Sequence, residues 1–193
     1  MRQNLDNKSA ELRALSERHR EDGLVCRMAE ENDLPELYRV FTQIVAHMNA
    51  SGVTIWNDVY PNSVFPEDIA EKRLYLLTKE DKIVAAFALL EPFIDTAKST
   101  VKWKEDSNDA LYLYRLGVNT DCLGKGYACI AIDFAKAITK AKGRRYVRLF
   151  VVDTNIPAVR LYEKTGFTKA PGVRCDDVAT DKLLIESGFE AEV

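Results

Sequence analysis

The sequence predicts an α/β (α+β) domain of three layers around one mixed sheet. Helical periodicity comes early, strand-like runs cluster in the middle, and strand–helix units alternate towards the end. The bulk composition agrees. The chain has 193 residues, 47% of them hydrophobic and 30% charged, enough for one independent core.

Residues 1–23 are heavily charged, with Leu5, Leu12 and Leu15 as the larger apolar side chains. They read as a loosely docked or frayed helix ending near Gly23, a solvated extension ahead of one domain over 24–193. Leu24 to Met28 forms a short strand. A helix follows, with Asp33 as its cap, Pro35 and Glu36 in its first turn, and Leu34, Leu37, Val40, Phe41, Ile44 and Val45 on one buried face. An aromatic loop leads to a short helix at "PEDIAEKR". Leu74 to Thr78 and Ile83 to Leu90 are strands around the turn "KEDK". Pro92 to Asp109 has no period and is either a mobile loop or part of a site. Leu111 to Val118 is a strand, and a helix begins near Tyr127 with an apolar stripe through Ile130, Ala131, Phe134, Ala137, Ile138 and Ala141. Gly143 stops it. "RRYVRLFVV" is the next strand, and a helix opened by Asn155 and Pro157 closes at Gly166. Phe167 to Lys169 and Lys182 to Ile185 complete the strands.

The net charge of -3 argues against nucleic acid or an anionic membrane as the main partner. Four cysteines without a C-x-x-C pair and only two histidines, His19 and His47, argue against a zinc site or a disulfide framework. No metal is expected. Reduced thiols, no apolar signal-type core in residues 1–23 and no run of ~18 apolar residues point to a cytoplasmic protein.

The stretch "CLGKGYA", Cys122 to Ala128, sits between a strand and a helix start. Unpaired N–H groups and the helix dipole there favour an anion, and Gly124 and Gly126 let it approach. Lys125 adds a cation. A phosphate-bearing ligand fits, and so does a tight turn that needs glycine only for its dihedral angles. Neither the G-x-x-x-x-G-K-S/T loop nor the G-x-G-x-x-G fingerprint is present.

Gly124-Lys125-Gly126-Tyr127-Ala128 resembles the pyrophosphate loop of the GNAT superfamily of acyl-CoA N-acyltransferases, with Gly126 and Ala128 in the small-residue positions. Leu123 stands where that family has Gln or Arg, which implies weaker CoA affinity. "NIPAVRLYEKTGF" is similar to the second family signature, N-x-x-A-x-x-L-Y-x-K-x-G-F, through Asn155, Ala158, Leu161, Tyr162, Lys164, Gly166 and Phe167. "LYRLGVN" looks like the central strand before the loop.

The resemblance implies a GNAT-like domain with a mostly antiparallel central sheet, helices on both faces and a splayed V between its fourth and fifth strands. It implies acetyl-CoA as cosubstrate and a primary amine of a small molecule or peptide as acceptor, attacking directly. A non-catalytic CoA-binding or sensor module of the same fold is the alternative, and a homodimer is left open. CoA would meet Leu116, Gly117, Val118, Leu123, Gly124, Lys125, Gly126, Tyr127, Ala128, Asn155, Ala158, Tyr162 and Lys164. Gly117 would form a bulge that directs the strand outward. The N–H of Leu116 would donate to the acyl oxygen, and Tyr162 would act as general acid. Glu91 is the base candidate, with His47, Asp58 and Asp153 as further options. Trp56, Tyr60, Arg115 and the Pro92–Asp109 segment are expected at the substrate pocket.

Overall fold

A computed structural model describes residues 2–92, 98–105, 108–176 and 184–193, with side chains from residue 10 onwards. The helices are α1 (Arg2–Glu21), α2 (Leu34–Ala50), α3 (Phe65–Ala70), α4 (Tyr127–Ala141) and α5 (Ile156–Lys164). The strands are β1 (Leu24–Met28), β2 (Leu74–Lys79), β3 (Lys82–Leu90), β4 (Lys98–Ser99), β5 (Ala110–Val118), β6 (Tyr146–Val152), β7 (Thr168–Lys169), β8 (Arg174–Asp176) and β9 (Leu184–Glu192).

One sheet runs β1-β2-β3-β5-β6-β9-β8-β4, with β7 also paired to β9. Every described pairing is antiparallel except β5–β6, which is parallel. Apolar side chains on the two faces of the sheet require a cover on each. On one face, α4 contributes Tyr127, Ala131, Phe134 and Ile138 to a core with Leu77, Phe87, Leu111, Val147 and Phe189. On the other, α2 buries Leu37, Val40, Phe41 and Ile44 against Leu74, Leu76 and Ala86. The three-layer α/β fold expected from the sequence is therefore present.

Four expectations are corrected. The N-terminal segment is not simply solvated: Leu12 and Leu15 of α1 pack on the α4-side core. His19 lies 5.8 Å from the Phe134 ring, and Glu11 pairs with Lys140 at 2.7 Å. Asp33 makes no side-chain cap bond to α2. Its carboxylate accepts two bonds from Arg27 instead, at 2.7 and 2.6 Å. The long segment after Pro92 contains a strand, β4, and its Trp103 packs on Tyr112 and Phe150 at 6.1 and 5.6 Å. The last strand is far longer than Lys182–Ile185, whose first two residues lie outside the described residues. Its Glu186–Glu192 part pairs with the whole of β6, from Tyr146↔Glu192 to Val152↔Glu186.

The β5–β6 pair positions the site. It holds only at Ala110↔Tyr146, Leu111↔Val147 and Tyr112↔Arg148. Beyond Tyr112 the strands part and form the V. Because of the extra short strand β4, this is the gap expected between the fourth and fifth strands.

Candidate active site

The V opens into a cleft of about 480 Å³. Its walls include Leu116, Gly117, Val118, Leu123, Ala128, Asn155, Ala158 and Tyr162, all expected there, and also His47, Trp56, Tyr60 and Arg115. Sequence-distant residues thus meet in one place because β5 and the β6–α5 connection diverge from a common base.

The β5 wall is irregular. Ala86 pairs with Gly117 and Ala88 with Tyr114, so Arg115 and Leu116 together face Phe87 and have no partner in the β3–β5 register. On the β6 side pairing has already ended at Tyr112. This is a β-bulge, but Gly117 is not its turning point. Arg115 carries the left-handed backbone, with φ +54. Gly117 is small for a packing reason, since an added Cβ would lie 2.8 Å from two Phe41 ring carbons and 2.9 Å from Ile44 Cδ1.

The loop after β5 is tied down by Asn119, which is 5% exposed. Its amide donates to the Ile83 carbonyl at 2.9 Å and its side-chain oxygen accepts from the Asp121 N–H at 3.1 Å. Gly124 and Gly126 have φ +77 and +81, and nothing lies within 4 Å of a Cβ placed on either. The turn that the sequence allowed is therefore present. The glycines serve the turn, and the same turn leaves their backbone facing open space at the start of α4. Gly126 caps that helix in the left-handed region. Such a cradle suits the oxygens of a pyrophosphate. Tyr127 faces the core at 9% exposure, and Lys125 and Lys164 are exposed; neither these three nor Gly124 and Gly126 line the cleft.

Opposite, α5 starts at Asn155, whose side-chain oxygen accepts from the Ala158 N–H at 3.4 Å. The Tyr162 ring packs edge-on against Phe167 at 5.6 Å and beside Phe189 at 6.4 Å. Burial pushes its phenol well above the ordinary tyrosine range, so the hydroxyl holds its proton at neutral pH. A protonated phenol on a cleft wall can donate a proton.

Glu91 is not in the cleft. It sits past the end of β3 at the closed end of the V, where Arg144 Nη2 grips it at 2.5 Å. Asp153 is paired with Lys169 at 3.3 Å and does not line the cleft, and neither does Asp58. The described part of the Pro92–Asp109 segment also stays out of the lining; Trp103 supports Phe150, a wall residue, from behind. Asp68 was missed by the sequence reading. It is fully buried on α3 and holds Arg115 through Nε at 2.7 Å and Nη2 at 2.8 Å. An acidic residue in the first turn of a short helix looks like an ordinary dipole partner, and only its burial marks it out.

Residues 36–167 match the acetyltransferase (GNAT) family. The chain belongs to this family. It is an enzyme family of acyltransferases, so the cleft is its candidate active site. The GNAT relationship extends to a provisionally named phosphinothricin acetyltransferase, YwnH, of Bacillus subtilis, 24% identical over 154 residues that span 76% of this chain and 85% of that one. A mycothiol acetyltransferase of Geodermatophilus obscurus is 39% identical over 57 residues, 30% of this chain and 18% of that much longer protein. A GNAT acetyltransferase from Streptococcus agalactiae superposes with a TM-score of 0.73 at 16% identity, over 89% of this chain and 96% of that chain. The last likeness is one of fold.

Proposed function

We propose that this GNAT protein transfers an acetyl group from acetyl-CoA to a primary amine of a small molecule or peptide, by direct attack. One observation carries the reading: the V brings the unpaired bulge at Leu116 and the phenol of Tyr162 onto the walls of a single cleft.

Acetyl-CoA supplies an acyl thioester. The backbone of Gly124 to Ala128 and the positive end of α4 hold the pyrophosphate. The Leu116 and Val118 backbone lines the arm as an added strand would, and the Leu116 N–H donates towards the acyl oxygen as charge builds there. Tyr162 delivers a proton to the departing sulfur. Of the four carboxylate and imidazole groups considered as base, only His47 lines the cleft, and it takes the proton of the attacking ammonium in this reading. The four cysteines are free thiols, which accords with a cytoplasmic setting. No helix among the described residues is long and apolar enough to cross a membrane.

The test is thiol release from acetyl-CoA across a panel of primary amines, beside calorimetric titration with CoA and ATP. Turnover with at least one amine and binding of CoA but not ATP are expected. Binding of ATP without CoA overturns the reading. CoA binding with no turnover on any amine leaves the fold as a binding module. Gly126→Val adds a branched side chain where φ is +81 and space is open. It strains the turn by about 1–2 kcal/mol and fills the cradle, so CoA affinity falls steeply by titration.

A further inference from the structure

Arg115 is a tightly held side chain on the cleft wall. It is 8% exposed and its backbone is left-handed. Its guanidinium carbon lies 5.6 Å from the centre of the Tyr114 ring. Nη2 donates to Asp68 Oδ1, and Nε lies 2.7 Å from Asp68 Oδ2 as a charge contact without hydrogen-bond alignment. The third nitrogen, Nη1, has one contact, the Tyr60 hydroxyl at 3.5 Å, longer than a good hydrogen bond. That hydroxyl has no other hydrogen-bond partner among the described residues.

Asp68 is completely buried and is shared, because Arg73 Nε also reaches it at 2.6 Å. The further partner of Arg73, Glu67, is 67% exposed. Two guanidinium groups thus converge on one buried carboxylate. A purely structural ion pair needs neither the second arginine nor a strained backbone, and apolar residues could fill the same space.

We infer that Arg115 Nη1 and the Tyr60 hydroxyl form a carboxylate subsite, and that the acceptor is an amino acid. This deepens the acyl-transfer reading and rests on it. A carboxylate accepts one bond from each donor. Arg115 directly precedes Leu116, so the anion subsite and the acyl-binding backbone belong to one bulge. A small molecule carrying both an amine and a carboxylate spans them. Asp68 is a positioning residue: it fixes the guanidinium plane so that Nη1 faces the cleft.

The experiment compares kcat/KM for amino acids and for their carboxamides, in the wild type, Tyr60→Phe and Arg115→Gln. The acid-to-amide ratio is taken within each protein and then compared between proteins, which cancels differences in amine basicity. A ratio that falls several-fold in Tyr60→Phe and roughly tenfold or more in Arg115→Gln supports the subsite. Tyr60→Phe removes one hydroxyl and keeps the ring, so it tests the claim even where Arg115→Gln fails to fold. An unchanged ratio in Tyr60→Phe and in any folded Arg115 variant overturns it. If no amine is turned over, the acyl-transfer reading fails separately. Calorimetry with N-acetylamino acids then decides the subsite: binding that weakens in Tyr60→Phe supports it, and no binding to the wild type overturns it.

Discussion

The two walls of the cleft are built in opposite ways. β6 is regular: it pairs with β9 residue for residue over its whole length, without a shift. β5 is irregular: its register with β3 breaks at Arg115–Leu116, and its pairing with β6 ends after Tyr112. The regular wall is followed by a helix on which Phe167 and Phe189 hold Tyr162, the proposed acid, by ordinary packing. The irregular wall offers backbone, and a buried ion pair lies beneath it. Chemistry by side chain is compatible with a regular strand, whereas chemistry by main chain requires a strand that forgoes part of its ladder.

The largest test of this contrast is on the regular wall. Tyr162→Phe should lower turnover by roughly 10²- to 10⁴-fold with little change in CoA affinity, measured by thiol release and calorimetry. Equal turnover removes Tyr162 from the acid role. The pH dependence has a definite sign. The phenol is raised by desolvation, so its proton is retained as pH rises through the normal tyrosine range. The alkaline limb of the rate profile therefore lies above about pH 10. Fold stability is unaffected by this group below pH 10 and declines above it, because the unfolded chain then ionises first.

On the irregular wall the effects are on stability. Asp68→Ala leaves two guanidinium groups facing each other without their shared carboxylate and should cost about 3–5 kcal/mol by urea denaturation. A loss below ~1 kcal/mol would show that the bulge holds without its ion pair. Gly117→Ala drives a methyl into Phe41 and Ile44, for a cost of about 1–3 kcal/mol. The smallest effect is expected away from both walls. Burial pushes the Cys26 thiol up to about 12, so an alkylating reagent at pH 8 should leave it unmodified in the native protein. Rapid labelling of Cys26 would mean that β1 opens readily.

Most of the regular structure was legible. β1, β2, β3 and β5 begin and end within a residue of the alternation that announces them, and α4 follows its apolar stripe. Periodicity records burial, and burial in these elements is local and repetitive. β9 was not legible, because "LIESGFEAE" mixes glycine and acids. Gly188 is there for a neighbour far away in the chain: an added Cβ would strike Val101 and Trp103 at 2.6 and 2.8 Å. The bulge was half legible. Gly117 drew attention to the right strand for the wrong reason, and Arg115 took the left-handed angle, which no propensity assigns to arginine. Asp68 was invisible because its partner Arg115 lies 47 residues away, on another layer. The glycine loop and the tyrosine helix were readable because their signals sit in short contiguous stretches.

The three-way contact of Asp68 with Arg73 and Arg115 also constrains how the sequence can drift. One buried carboxylate serves the short helix, the start of β2 and the bulge at once. No single replacement at these positions leaves the other two content, so descendants of this chain should vary them jointly or keep all three. Among relatives whose cleft accepts a different amine, a change at Arg115 should be accompanied by changes at Asp68 and Arg73, a correlated trio visible in sequences alone.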